Sequence, residues 1–293
     1  MASKLSALIL ASRPKTLPAA VAPVLVGTAI AFDKNGFHLM SALAAMFGAI
    51  LIQIGTNYAN DYFDFIKGAD TEAREGPTRV TQSGLLKPEH VRLAFIVTFA
   101  LAALCGAYLT WRAGWPIAVI GLISIASGIL YTAGPMPLGY LGLGDVFVFL
   151  FFGVIAVGGT YYVQALHWSP EALIAGGAPG LLSTAILTVN NLRDSDSDAK
   201  TGKKTLAVRF GDTFARLEYV VCVATALMIP VGLIAFRRSN AYALMSLIAI
   251  IPAIPALKTV IALRKGRHLN STLAATGRIL MIHSVFFAIG WIV

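Results

Sequence analysis

The sequence predicts an all-α fold: one membrane domain over residues 1–293, with nine transmembrane helices around a central cavity. Three observations carry that expectation. Apolar residues make up 57% of the chain and charged residues 13%, about half the charged share of a soluble domain. Nine stretches are long and apolar enough to cross a hydrocarbon core roughly 30 Å thick. Eight of the fourteen acidic residues gather in two short windows at the ends of two of those stretches. The composition excludes a soluble globular enzyme and a disordered chain. Two cysteines, Cys105 and Cys222, each inside an apolar stretch, leave no disulfide framework and no cysteine metal site. A net charge of +9 on so apolar a chain points to basic loops beside an anionic leaflet, and no nucleic-acid partner is expected.

The stretches cover about 14–32, 38–60, 91–111, 115–133, 143–163, 171–191, 217–236, 241–263 and 273–293. Pro14, Pro18 and Pro23 make the first irregular, and Pro252 and Pro255 kink the eighth. Lys4 followed by apolar residues 5–11 imitates the start of a secretory signal. The run is short and leads into Ser12-Arg13-Pro14-Lys15, so no cleavage is expected. With the N-terminus in the cytoplasm, 17 Lys and Arg fall on inner segments and 4 on outer ones. That asymmetry predicts a multi-pass protein of the inner (plasma) membrane with the N-terminus inside.

Both acidic windows then lie at inner helix ends. The first holds Asn57, Asn60, Asp61, Asp64, Lys67, Asp70, Glu72 and Glu75. The second holds Asn190, Asn191, Arg193, Asp194, Asp196, Asp198, Lys200, Lys203 and Lys204. Asn60 and Asp64 are four residues apart, as are Asn190, Asp194 and Asp198, so each set shares a helix face. The two helices run in the same direction four spans apart. This predicts a weak parallel repeat of four helices plus one extra, with a site at the interface of the repeats. Facing carboxylate columns repel unless a cation sits between them. Hard divalent cations take oxygen ligands, and Mg²⁺ commonly binds through one or two carboxylates plus substrate phosphates. Nearby Lys and Arg suit the remaining charge of a polyphosphate. The pattern therefore predicts a Mg²⁺-bridged diphosphate at the cytoplasmic mouth of a membrane cavity.

Asp61, Asp64, Asp194 and Asp198 are the functional candidates, because acids at span ends are costly. Glu72, Glu75, Glu89 and Asp196 read as solvated charges, and Asp70 is intermediate. Lys67, Arg79, Arg193, Lys203 and Lys204 lie close enough to the windows to hold the diphosphate. Lys200, Arg216, Arg264, Lys265 and Arg267 read as topology and lipid anchors. Arg13 and Lys15, at the start of the first span, either read a carboxylate or anchor the helix. His283 reads as a packed histidine, and Gly121, Ser124, Ser127 and Gly128 as a close-packing stripe.

Asn60-Asp61-x-x-Asp64 together with Asp194-x-x-x-Asp198 resembles the paired Asp-rich motifs of the UbiA superfamily of intramembrane prenyltransferases. Flanking strings narrow the resemblance to the branch that prenylates 1,4-dihydroxy-2-naphthoate for menaquinone. They include Arg13-Pro-Lys-Thr-Leu-Pro18, Gly76-Pro-Thr-Arg79-Val-Thr-Gln-Ser-Gly84, Tyr140-Leu-Gly-Leu-Gly-Asp145 and Gly202-Lys-Lys-Thr-Leu-Ala-Val-Arg209. The superfamily commonly has another Asp four residues after the position of Asp64. Gly68 stands there, and Asp61 or Asp70 could supply the missing carboxylate. The resemblance implies transfer of a polyprenyl chain from polyprenyl diphosphate to 1,4-dihydroxy-2-naphthoate, with Mg²⁺ as cofactor and membrane lipid as surroundings. Asp64, Asp194 and Asp198 would bind the metal with Asn60 and Asn190. Tyr62 or Tyr131 would steady an allylic cation by cation–π contact. Rival expectations are another phenolic acceptor, such as homogentisate, or a cation transporter.

Overall fold

The structure, a computed structural model, describes residues 3–68, 76, 78–135, 137–237, 241–262 and 265–293. Asp70, Glu72, Arg74, Glu75 and Arg264 lie outside them. Every described regular element is helical.

The chain begins with α1 (Lys4–Ala11), whose first turn is capped by the Ser3 side chain accepting from the Ser6 N–H. Ala7 and Ala11 bury its inner face, and Tyr58 donates to the Leu8 carbonyl at 3.1 Å. At Arg13 the backbone turns left-handed (φ 51°), and Pro14 and Pro18 start new helical segments where a missing N–H costs nothing. α2 (Pro18–Asp33) therefore leaves at 54° to the segment before it. α3 (Leu39–Ile66) follows, capped by the His38 ring, then α4 (Pro88–Ala113) and α5 (Trp115–Leu130). The second half contains α6 (Gly144–Ala165), α7 (Pro170–Lys200), α8 (Leu206–Arg237), α9 (Ala241–Ile261) and α10 (Gly266–Ile292).

The all-α expectation holds, but nine crossing helices is an overcount. Among the described residues seven helices are long and apolar enough to cross, or eight if the bent pair of α1 and α2 is one span. α5 has only 16 residues, because Gly134, Pro135 and Pro137 prevent it from continuing past Tyr131. The chain released there forms a loop that enters the site.

Each acid-bearing helix, α3 and α7, packs most extensively on the helix that follows it, α4 and α8. α2 packs on both α6 and α10 and so closes the ring of helices. α7 is the central element, with 72% of its apolar window buried. Its approach to α6 needs glycine: a Cβ on Gly153 would lie 2.5 Å from the Gly180 Cα, and one on Gly180 would lie 2.6 Å from the Phe149 carbonyl oxygen. At this crossing α6 takes one π-helical turn, Leu150–Val154. The outer surface is apolar, with Leu93, Leu104, Leu122 and Ile251 all more than 60% exposed, as lipid contact requires.

Candidate active site

α3 and α7 both end at the same place, and their last turns face each other across a cleft of about 190 Å³. Asn60 and Asp64 line it from α3, and Asn190, Asn191, Asp194 and Asp198 from α7. Arg13, Arg79, Tyr131, Tyr140 and Lys203 complete its polar wall. The four-residue spacing in the sequence thus does put these oxygens on facing sides of one space.

The carboxylates are held apart by cations. Arg79 donates to Asp64 at 2.5 Å, with both side chains under 5% exposed. Arg193 grips Asp194 with two bonds, of 2.8 and 2.6 Å. Nη1 donates to Asn270 (2.8 Å), which ties α7 to α10, and Nη2, which also serves Asp194, donates to Asn190 (2.7 Å). Lys203 lies 3.3 Å from Asp198. Among the described residues no three Asp, Glu, His or Cys converge as a metal-binding group. The cleft still supplies the donor set that Mg²⁺ takes, namely a few carboxylate and amide oxygens, with the rest of the shell left to water and phosphate.

Asp61 is placed differently from the expectation that made it a catalytic and metal residue. It is 1% exposed and does not line the cleft. Its carboxylate accepts from the N–H groups of Val80 and Thr81 and from the Thr81 hydroxyl, at 2.5 to 3.1 Å. Three donors from one loop occupy it, and that loop carries Arg79 to Asp64. Asp61 is the anchor of the loop.

Five other candidates also lie away from the cleft wall. Lys67 donates to the carbonyls of Thr132 (2.6 Å) and Gly134 (2.9 Å) and so straps α3 to the loop after α5. Burial lowers its pKa, against the opposing pull of Asp64. Lys15 and Lys204 are exposed at the surface. Tyr62 packs against Phe63 and Phe95 in a core cluster rather than facing the cleft. Arg193 acts through Asp194 and does not reach the wall itself.

Tyr140 opens one of the flanking strings but is not among the site residues expected from the sequence. Its ring stands 5.4 Å from the Lys67 ammonium and 5.3 Å from that of Lys203, so one aromatic ring joins a basic residue of each acidic window. Thr132 donates to Asn60 at 2.9 Å. Neither contact has a signal in local spacing, because both depend on the loop after α5.

The cleft opens into an apolar cavity of about 540 Å³ between α2, α3, α4, α5 and α6. Ala19, Gln53, Asn60, Tyr131, Val148 and Phe152 line both spaces. The small-residue stripe of α5 divides between two uses. A Cβ on Gly128 would collide with the Thr56 hydroxyl at 2.4 Å, as close packing predicts. All four residues of the stripe line the cavity, but a Cβ on Gly121 meets nothing within 4 Å.

Comparison with known proteins gives a consistent picture. The model of the UbiA prenyltransferase family matches residues 20–285. The 1,4-dihydroxy-2-naphthoate octaprenyltransferase of Mycobacterium tuberculosis is 41% identical over 280 residues, covering 94% of each chain. The Escherichia coli protein of the same name is 42% identical over 227 residues, covering 75% of this chain and 73% of its own. A UbiA homologue from Archaeoglobus fulgidus has the same fold, with a TM-score of 0.68 at 16% identity over 98% of this chain and 99% of that one. The structure of that homologue bound to GPP and Mg²⁺ superposes with a TM-score of 0.66 at 15% identity, over 98% of this chain and 99% of that one.

Proposed function

Because this chain belongs to the UbiA prenyltransferase family, we propose that it transfers a polyprenyl chain from polyprenyl diphosphate to 1,4-dihydroxy-2-naphthoate. Diphosphate and CO₂ leave, and demethylmenaquinol forms for menaquinone synthesis. The observation that carries this reading is the junction of the two cavities. A charged head fits the acid- and base-lined cleft, a long apolar tail fits the adjoining cavity, and the bond between them falls where the two spaces share walls. The naphthoate acceptor is inferred from the relatives at 41 and 42% identity.

Mg²⁺, held by Asp64, Asp194 and Asp198 with Asn60 and Asn190 as neutral oxygen donors, would neutralise the diphosphate as a Lewis acid and make it a better leaving group. Arg79 and Lys203 add fixed positive charge beside the same oxygens. Arg193 orients Asp194 through its paired bonds. The C1–O bond of the prenyl diphosphate breaks, and its electron pair leaves with the diphosphate. The Tyr131 ring, on the wall shared by both cavities, steadies the allylic cation through its π face. The ring carbon bearing the carboxylate forms the new C–C bond. The C–CO₂ bond then breaks, and its electrons restore the aromatic ring. The apolar walls keep water from the cation. The distribution of Lys and Arg assigns the cleft to the cytoplasmic face of the inner membrane.

The test uses purified protein in nanodiscs with a polyprenyl diphosphate, Mg²⁺ and either 1,4-dihydroxy-2-naphthoate or 4-hydroxybenzoate, with products followed by mass. A prenylated, decarboxylated naphthoquinol formed only with Mg²⁺ is expected. Product from 4-hydroxybenzoate alone would overturn the acceptor. No product from either acceptor, with cation flux across proteoliposomes, would overturn the reaction.

A further inference from the structure

Gln53 lies on α3, two helical turns before Asp61, on the wall shared by the polar cleft and the apolar cavity. It is 8% exposed, and its Oε1 is buried without a hydrogen-bond partner. A buried amide oxygen left in that state is costly, so its persistence calls for a reason.

The orientation of the amide follows from its neighbours. The Thr16 hydroxyl donates its one proton to the Arg13 carbonyl at 3.0 Å. Thr16 Oγ1 is therefore an acceptor toward everything else, and it receives Nε2 of Gln53 at 3.1 Å and Nδ2 of Asn57 at 3.2 Å. Asn57 also donates to the Ser12 carbonyl at 2.9 Å. Swapping the amide atoms would set oxygen against an oxygen with no proton to give. So Nε2 faces the bend between α1 and α2, and Oε1 is the end left without a partner on a residue that lines both cavities. The same bend carries Arg13 to the cleft wall. On the opposite wall, the Ser183 hydroxyl is also buried without a partner. Two residues of the cleft wall thus carry hydrogen-bonding capacity that no protein group uses.

We propose that Gln53 is a specificity-determining residue whose Oε1 accepts a hydrogen bond from a phenolic hydroxyl of the aromatic acceptor, holding the ring at the junction of the two cavities. This rests on the prenyl-transfer reading above. An amide oxygen can only accept, so it selects a hydroxyl over hydrogen or an ether at that ring position. The contact is made to the acceptor's own hydroxyl, so it acts on the acceptor and not on the prenyl donor.

The experiment measures wild-type and Gln53→Met protein in nanodiscs. Met keeps the side-chain length and removes the acceptor atom. The KM for 1,4-dihydroxy-2-naphthoate should rise roughly tenfold, with the KM for polyprenyl diphosphate unchanged. Naphthoates lacking one or the other hydroxyl are then tested as competitive inhibitors. In the wild type one of the two should bind roughly tenfold more weakly than the dihydroxy parent, and in Gln53→Met that difference should vanish. An equal rise in both KM values would mark a structural role and overturn the proposal. So would wild-type protein that binds both monohydroxy compounds as tightly as the parent, a result that needs no variant to fold. Absence of wild-type turnover with any phenolic acceptor would instead overturn the prenyl-transfer reading, and the role of Gln53 with it.

Discussion

Asp61 and Asp64 stand three residues apart on α3, yet their surroundings give them separate tasks. Asp64 faces the cleft with Arg79 against it, and Asp61 faces away and holds the loop that delivers Arg79. Asp64→Ala should therefore nearly abolish turnover in Mg²⁺-replete assays while the fold is retained; near-wild-type rates would remove Asp64 from the metal set. Asp61→Ala leaves the buried N–H groups of Val80 and Thr81 without partners, at about 1–3 kcal/mol. The unfolding temperature should drop by several degrees, and the residual activity should keep its wild-type dependence on Mg²⁺ concentration. A shifted Mg²⁺ dependence would return Asp61 to the metal. The sequence could name both residues as costly acids at a span end. It could not separate them, because the partner of Asp61 is a loop nearly twenty positions away.

At the scale of elements, two glycines with similar sequence surroundings have opposite tolerance. Gly180 brings α7 against α6 with no room for a side chain, and Gly121 borders open cavity. Gly180→Leu forces the Phe149 carbonyl and the α6 backbone aside. Overpacking of this kind costs typically 1–3 kcal/mol, visible as a lowered melting temperature of the detergent-solubilised protein. Gly121→Phe should leave that temperature unchanged and fill part of the apolar cavity. Its expected effect is a higher KM for long prenyl diphosphates than for short ones, checked by rates across a chain-length series. Equal KM changes for all chain lengths would show that the tail does not run past α5. The stripe on α5 was legible as small residues; whether small meant packing or cavity depended on which neighbour lay opposite.

For the whole molecule, the charge asymmetry of 17 inner to 4 outer Lys and Arg predicts which face each loop occupies. Trp111, Trp115 and Trp168, all exposed, sit at the ends of α4, α5 and α6 remote from the acidic motifs, where an interfacial aromatic belt belongs. In a cysteine-free background, a cysteine at Asn35 should react with an impermeant maleimide applied from outside. One at Ser83, in the loop beside the cleft, should react only after the membrane is opened. The reverse pattern would invert the orientation.

The sequence by itself determined the all-α membrane class, the two facing oxygen columns and the family, because each rests on local periodicity or contiguous strings. Hydrophobic length marks spans, a four-residue spacing marks one helix face, and charge counts mark sides. Tertiary structure alone decided that α1 and α2 form a pair bent by 54° and that α5 falls short. It also decided that Lys67, Lys15, Lys204 and Tyr62 stand off the cleft, and that Gln53, Thr132 and Tyr140 belong beside it. The physical reason is common to these cases. A side chain's role here is set by the atom across from it, and that atom is supplied by another helix or loop far along the chain.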